Sequence, residues 1–176
     1  MEKIRFLVEY KSDLNSNDST DGETPLHNAL LNPNSTLELI KYLIEKDSNV
    51  NLKDDYYENS PLHCACKNEK PSKEIINFLI EYGAEINNRN KFHSTPLQLL
   101  SSHRKVDKDL IKFMVEKGSV INIFNIHQNT SLHLYVLNEN ISFDLVKFFV
   151  DKKSDLNFRN DSGSTVKRKR KFKKKI

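Results

Sequence analysis

The 176-residue sequence contains no tryptophan, only four glycines and only two cysteines. Cys64 and Cys66 are separated by one residue, so a disulfide framework is excluded and a reducing compartment is expected. Four glycines are too few for a phosphate-binding loop, and neither a nucleophile elbow nor an HExxH motif occurs. No segment approaches the ~18 consecutive apolar residues of a membrane span, and no signal peptide is recognisable. We therefore expect a soluble, intracellular, cytoplasmic or nuclear chain that is not an enzyme.

Positive charge is concentrated at the C-terminal end. The formal net charge is +4, but residues 167–175 carry eight basic side chains and no acidic one, which leaves residues 1–166 at −4. Such a segment is expected to be disordered. It is compatible with a nuclear-localisation signal, with contact to nucleic acid or anionic lipid, or with an ending that does not belong to the fold. The basic residues are Lys167, Arg168, Lys169, Arg170, Lys171, Lys173, Lys174 and Lys175.

The main signal is an internal repeat with a period of about 35 residues. Each repeat begins with threonine or serine, usually followed by proline, leucine and histidine. The four segments are Thr24-Pro25-Leu26-His27, Ser60-Pro61-Leu62-His63, Thr95-Pro96-Leu97-Gln98 and Thr130-Ser131-Leu132-His133. A hydroxyl residue followed by proline is typical of a helix N-terminus, because the hydroxyl caps a free N–H and proline has none to satisfy. The pattern predicts one helix start per repeat.

A second helix per repeat is predicted by apolar residues at the i, i+3, i+4 spacing of one helix face, as in Ile40, Leu43 and Ile44. Each of these apolar patterns begins four residues after a good N-cap residue. These caps are Thr36, Ser72, Asp107 and Ser142. Turn-forming residues then lead to the next repeat, which favours a projecting hairpin.

This helix, loop, helix and hairpin pattern resembles the ankyrin repeat, whose signature is Thr-Pro-Leu-His at a helix start. The resemblance implies an all-α ankyrin-repeat solenoid of about four units plus partial ends. The expected parts are a partial repeat at 1–22, repeats at 23–58, 59–93, 94–128 and 129–163, and a basic tail at 164–176. Both ends are irregular, as expected for a fragment of a longer array or for a frayed one.

The glycine that usually ends the second helix of an ankyrin repeat occurs here only as Gly83 and Gly118, whereas Lys11, Asp47 and Lys153 replace it. If these three keep the left-handed conformation, each destabilises the fold by roughly 1 kcal/mol.

The repeated histidines, His27, His63 and His133, are candidates for ligands or bases. Because Gln98 takes the same place in another repeat, we interpret all four as hydrogen-bonding groups within and between repeats. The cysteines point about 200° apart on a helix and have no second pair, so no zinc site is expected. We predict no metal site and no cofactor.

The ankyrin resemblance implies that a partner protein binds along the concave face made by hairpins and first helices. Aromatic residues near the hairpin tips, Tyr56, Tyr57 and Phe92, are candidate anchors, and the acidic Asp54 and Asp55 are candidate specificity residues. The alternative is that the hairpin tips are simply variable and that Tyr56 folds back on its neighbours. We expect a monomeric protein-interaction scaffold; the alternative function is a nuclear or nucleic-acid-associated adaptor that uses the basic tail.

Overall fold

The computed structural model describes residues 13–16, 20–104, 107–138 and 141–166. Within these ranges the chain contains α-helices and no β-strand, so the predicted all-α class is confirmed. The chain divides into two compact units, Met1–Lys91 and Phe92–Ile176. No helix among the described residues combines the length and the apolar character needed to cross a membrane.

Each unit holds four of the described helices, in two short pairs. In the first unit they are α1 (Pro25–Leu31), α2 (Leu37–Glu45), α3 (Pro61–Lys67) and α4 (Lys73–Glu81). In the second unit they are α5 (Pro96–Ser101), α6 (Lys108–Glu116), α7 (Ser131–Tyr135) and α8 (Phe143–Asp151). The odd-numbered helices are the first helices of each pair, and the even-numbered helices are the second.

The first helices begin at reciprocal caps, as the Thr-Pro pattern predicts. Thr24 accepts a hydrogen bond from the His27 N–H, and the His27 ring accepts one from the Thr24 N–H. The same capping box begins α3, α5 and α7. Two free N–H groups are satisfied at each start, which compensates for helices too short to be stable alone.

The second helices begin at the predicted cap residues. Thr36, Ser72 and Asp107 accept backbone hydrogen bonds, whereas Ser142 occupies the cap position without a side-chain bond. Their apolar faces are buried: Ile40, for example, is fully inaccessible to solvent. In the first unit α1 packs against α2 and α3, and α3 packs against α4; in the second, α5 packs against α6 and α7.

Left-handed residues end the second helices, whether or not they are glycine. Asp47 and Lys153 have φ of 69° and 65°, alongside Gly83 at 88° and Gly118 at 104°. The left-handed conformation predicted for Asp47 and Lys153 is therefore confirmed, whereas Lys11 lies outside the described residues.

A second left-handed position occurs in each hairpin, two residues before the cap of the next first helix. Sequence reasoning missed this position. It is occupied by Gly22, Glu58, His93, Gln128 and Gly163, with φ between 54° and 70°. Three of the five hairpins therefore turn without glycine at this point.

Candidate interaction surface on the hairpins

The hairpin before α3 is held by an aspartate that the sequence analysis assigned to the surface. One oxygen of Asp54, Oδ1, accepts a hydrogen bond from the Tyr57 N–H at 2.6 Å, and the Asp54 N–H donates to the Asn59 carbonyl at 2.9 Å. Asp54 is only 3% exposed. The expectation that Asp54 is a solvated specificity residue is wrong, because the side chain closes the turn from inside the hairpin.

The later hairpins have asparagine at the position of Asp54, so they carry an amide nitrogen where Asp54 has its second carboxylate oxygen, Oδ2. Asn90 donates from Nδ2 to Oδ1 of Asn59 at 2.9 Å, and in the second unit Asn160 donates in the same way to Asn129 at 2.9 Å. A carboxylate cannot donate, and Oδ2 of Asp54 is buried with no hydrogen-bond partner among the described residues. This repeat therefore lacks one hydrogen bond that its neighbour makes.

Tyr56 and Tyr57 lie together at the tip of this hairpin. Their ring centroids are 4.5 Å apart and nearly perpendicular, the edge-to-face arrangement that aromatic pairs favour. Tyr56 is 53% exposed, whereas Tyr57 is half-buried. The predicted exposure of an aromatic at the tip is confirmed for Tyr56, and a role of either residue in binding stays a prediction.

The backbone of this tip is fixed by both neighbouring hairpins. The Tyr56 N–H donates to the Asp21 carbonyl at 3.2 Å, and the Tyr57 carbonyl accepts from the Lys91 N–H at 2.9 Å. Asp55 is exposed and lies against Gly22, where any Cβ would overlap the Asp55 side chain. The tyrosines are thus presented on a rigid backbone.

The face behind the hairpins is occupied by the repeated histidines. The Nδ1 atom of His27 accepts from the Thr24 N–H at 3.2 Å, and its Nε2 lies 3.1 Å from the Asn59 carbonyl of the next hairpin. This arrangement requires neutral histidine with the proton on Nε2. Burial lowers the pKa of His27 below its ordinary value of 6.5, and it outweighs the opposing effects of the Asn59 carbonyl and nearby carboxylates.

Gln98 makes the same pair of contacts with an amide. Its Oε1 accepts from the Thr95 N–H at 2.9 Å, and its Nε2 donates to the Asn129 carbonyl at 2.7 Å. His133 keeps the cap contact with Thr130, and its Nε2 lies 3.0 Å from the Phe158 carbonyl, which corresponds to the Ile123 carbonyl that Gln98 also contacts at 2.9 Å. The interpretation of these residues as hydrogen-bonding groups within and between repeats is confirmed by these contacts.

Asparagine side chains join successive second-helix ends in a similar way. Asn51 donates from Nδ2 to the Gly83 carbonyl at 2.9 Å and accepts at Oδ1 from the Glu85 N–H at 2.9 Å. Asn122 makes the same two contacts with Lys153 and Asp155. The hairpins and helix ends of one unit are therefore held in register by polar side chains that bridge repeats.

In the second unit, the hairpins carry an apolar patch that sequence reasoning found only in part. Phe92 is 43% exposed, and its carbonyl accepts from the Ile126 N–H at 3.0 Å. Phe124 and Ile126 are also exposed, and the ring of Phe124 stacks on that of Phe158 at 5.5 Å. Alignment of the repeats could have revealed this patch, because Phe124 occupies the position of Lys53 and Arg89.

The cysteines are not part of any candidate site. Cys64 and Cys66 are both buried, and burial raises the pKa of both thiols, so neither is a reactive thiolate. No cluster of three or more potential metal ligands occurs within the described ranges. The basic residues 167–175 lie outside the described residues.

The sequence matches a family model described as ankyrin repeats (3 copies) over residues 1–90 and again over residues 70–160. No curated protein is similar enough to this chain to count as a match. The two family matches together span most of the sequence, and the capping boxes, paired helices and hairpins agree with them in both units. The chain belongs to the ankyrin repeat family.

Proposed function

We propose that this protein is a non-catalytic scaffold that binds a partner protein through its hairpins and the adjoining first helices. Ankyrin repeats are generally protein–protein interaction modules. The proposal assigns this role to the hairpin face of each repeat, with the repeat boundaries given by the sequence analysis.

The observation that carries the proposal is the exposed aromatic side chains on rigid hairpins. Tyr56 is half exposed although its backbone is tied to the preceding hairpin, and Phe92 and Phe124 are exposed in the second unit. Large aromatic side chains that are already ordered lose little conformational entropy on binding, which makes them effective anchors.

The test uses a matched pair of tyrosines. Tyr56 lies on a hairpin and is 53% exposed, whereas Tyr82 follows a second helix, is 49% exposed and contacts Phe78 with ring centroids 4.5 Å apart. Tagged full-length chains carrying Tyr56→Ser or Tyr82→Ser are used to capture proteins from extracts of the source cells, followed by quantitative mass spectrometry.

We expect the proteins captured by the parent chain to be retained by Tyr82→Ser and depleted with Tyr56→Ser. Phe124→Ser and Phe143→Ser make the same comparison in the second unit, because Phe143 is exposed at the start of α8. If neither hairpin variant depletes any captured protein, or if both second-helix variants do so equally, the hairpin face is not the binding surface.

A further inference from the structure

Two lysines lie against the tyrosine pair of the first unit. The Lys67 ammonium, at the last residue of α3, lies 5.2 Å from the centroid of the Tyr57 ring. The Lys91 ammonium lies 5.3 Å from the centroid of the Tyr56 ring and donates to the Tyr56 carbonyl at 3.2 Å. Both lysines are exposed, so their charges face solvent at the hairpin tip.

The same hairpin also carries carboxylates, but Asp54 closes the turn from inside and the Asp55 side chain lies against Gly22. Within the described part of the chain, neither ammonium forms an ion pair, whereas Lys53 in the same hairpin lies 3.9 Å from the Glu58 carboxylate. Their described contacts are with aromatic rings and a carbonyl oxygen, which orient a cation without removing its net charge. The hairpin tip therefore carries two oriented positive charges beside an exposed aromatic ring.

Lysine also lies over aromatic rings elsewhere: Lys41 of α2 lies 5.7 Å from the Phe78 ring of α4, and the other described contacts are made at the end of a single helix. The Lys46 ammonium lies 6.0 Å from the Tyr42 ring, and the Lys117 ammonium lies 5.5 Å from the Phe113 ring. In each pair the two residues are four positions apart at the C-terminal end of the same second helix. Such pairs follow from helix geometry alone. Lys67 and Lys91 instead reach the tyrosines from other elements, and thus bring charge to the hairpin tip from α3 and from the following hairpin.

We infer that Tyr56, Tyr57, Lys67 and Lys91 form a docking site for an acidic segment of the partner protein. Carboxylates of that segment pair with the two ammonium groups, and an apolar side chain next to them packs on the exposed ring of Tyr56. The lysines are already oriented by the rings, so less side-chain entropy is lost when the carboxylates bind. The inference rests on the proposed function and specifies the chemistry of the partner at this hairpin.

The experiment selects peptides from a random dodecapeptide library displayed on phage, using the full-length chain as bait. Three baits are compared: the parent, Lys67→Gln/Lys91→Gln and the control Lys46→Gln/Lys117→Gln. Both variants lose two charges and two lysine–aromatic contacts, and both keep the basic C-terminal segment, so any acid preference caused by that segment is the same in all three.

We expect the parent and the control to select peptides with aspartate or glutamate next to a large apolar residue, and the Lys67/Lys91 variant to lose this preference. The affinity of a fluorescein-labelled selected peptide, measured by fluorescence anisotropy, should fall about tenfold in that variant and little in the control. An unchanged acid preference or affinity in the Lys67/Lys91 variant overturns the inference.

A twelve-nucleotide oligothymidylate tests the other polyanion class with the same three proteins. If the Lys67/Lys91 variant loses affinity for the oligonucleotide but not for the peptide, the site binds nucleic acid and the inference is overturned. Failure of the proposed function gives a different result, because Tyr56→Ser then leaves peptide binding and protein capture unchanged. A library that yields no binder to the parent overturns the inference, whereas the capture experiment still tests the proposed function.

Discussion

The left-handed residue after α8 offers a direct test of backbone strain in this fold. Lys153 has φ of 65°, in the left-handed region. For a residue with a side chain this conformation is about 1–2 kcal/mol less favourable than the right-handed one. Glycine relieves that strain but loses about 0.5–1 kcal/mol more conformational entropy on folding. We therefore expect Lys153→Gly to be more stable than Lys153→Ala by about 0.5–1 kcal/mol.

The comparison with alanine isolates the backbone. Both substitutions remove the same charge from a helix C-terminus, where lysine is favourable. The described hydrogen bonds of Lys153 use its main chain: the N–H donates to the Val150 carbonyl at 2.8 Å, and the carbonyl accepts from Asn122 at 3.0 Å. Neither contact depends on the side chain.

The reverse substitution at the equivalent position of α4 is the control. Gly83 has φ of 88°, and a Cβ built there would contact nothing within 4 Å, so Gly83→Ala should lose a similar free energy through conformation alone. Urea denaturation followed by circular dichroism measures both differences, and the melting temperatures should differ by about 2 °C. Equal stability of Lys153→Gly and Lys153→Ala, or an unchanged Gly83→Ala, would refute the reasoning.

Three further predictions concern the core and the hydrogen bonds between repeats. Leu79→Ala, at a fully buried position, should lower the free energy of unfolding by about 2–5 kcal/mol in a urea titration, and a loss below about 1 kcal/mol would mean that the site is not tightly packed. Asp54→Asn should raise stability by about 1 kcal/mol by supplying the missing donor, whereas Asn90→Asp should lower it by about 1–3 kcal/mol; changes of the same sign would contradict this account. The folded chain binds a proton at His27 less readily than the unfolded chain, so the free energy of unfolding should fall as the pH drops below 6.5. His27→Gln introduces the side chain found at Gln98 and should flatten this pH dependence between about pH 7 and pH 5.

Sequence patterns predicted the helices well because their signals are local. A hydroxyl residue before proline fixes a helix start within a few bonds of itself, and Thr24 and Ser60 are the N-caps of α1 and α3. The repeat also allows equivalent positions to be compared. Gln98 stands where the other repeats have histidine, and this difference indicates that the position serves for hydrogen bonding.

The surface was harder to predict, because exposure depends on contacts between repeats. Asp54 is acidic and lies in a turn, yet its side chain points inward to close that turn. Phe124 lies in a hairpin at the position that is basic in Lys53 and Arg89, and the fold shows its ring exposed and stacked on that of Phe158. Composition identifies residues that favour turns or surfaces, but it does not determine which atoms a neighbouring repeat already uses.

The bridging asparagines limit how such a chain can change in length during evolution. Asn51 uses its donor and its acceptor on two backbone groups of the next repeat, those of Gly83 and Glu85, so a residue inserted between Gly83 and Glu85 would separate the groups that one side chain holds together. The constraint is therefore local to the segment after each second helix, because the chain between bridged positions differs in length: Asn51 and Gly83 are 32 positions apart, whereas Asn122 and Lys153 are 31 apart.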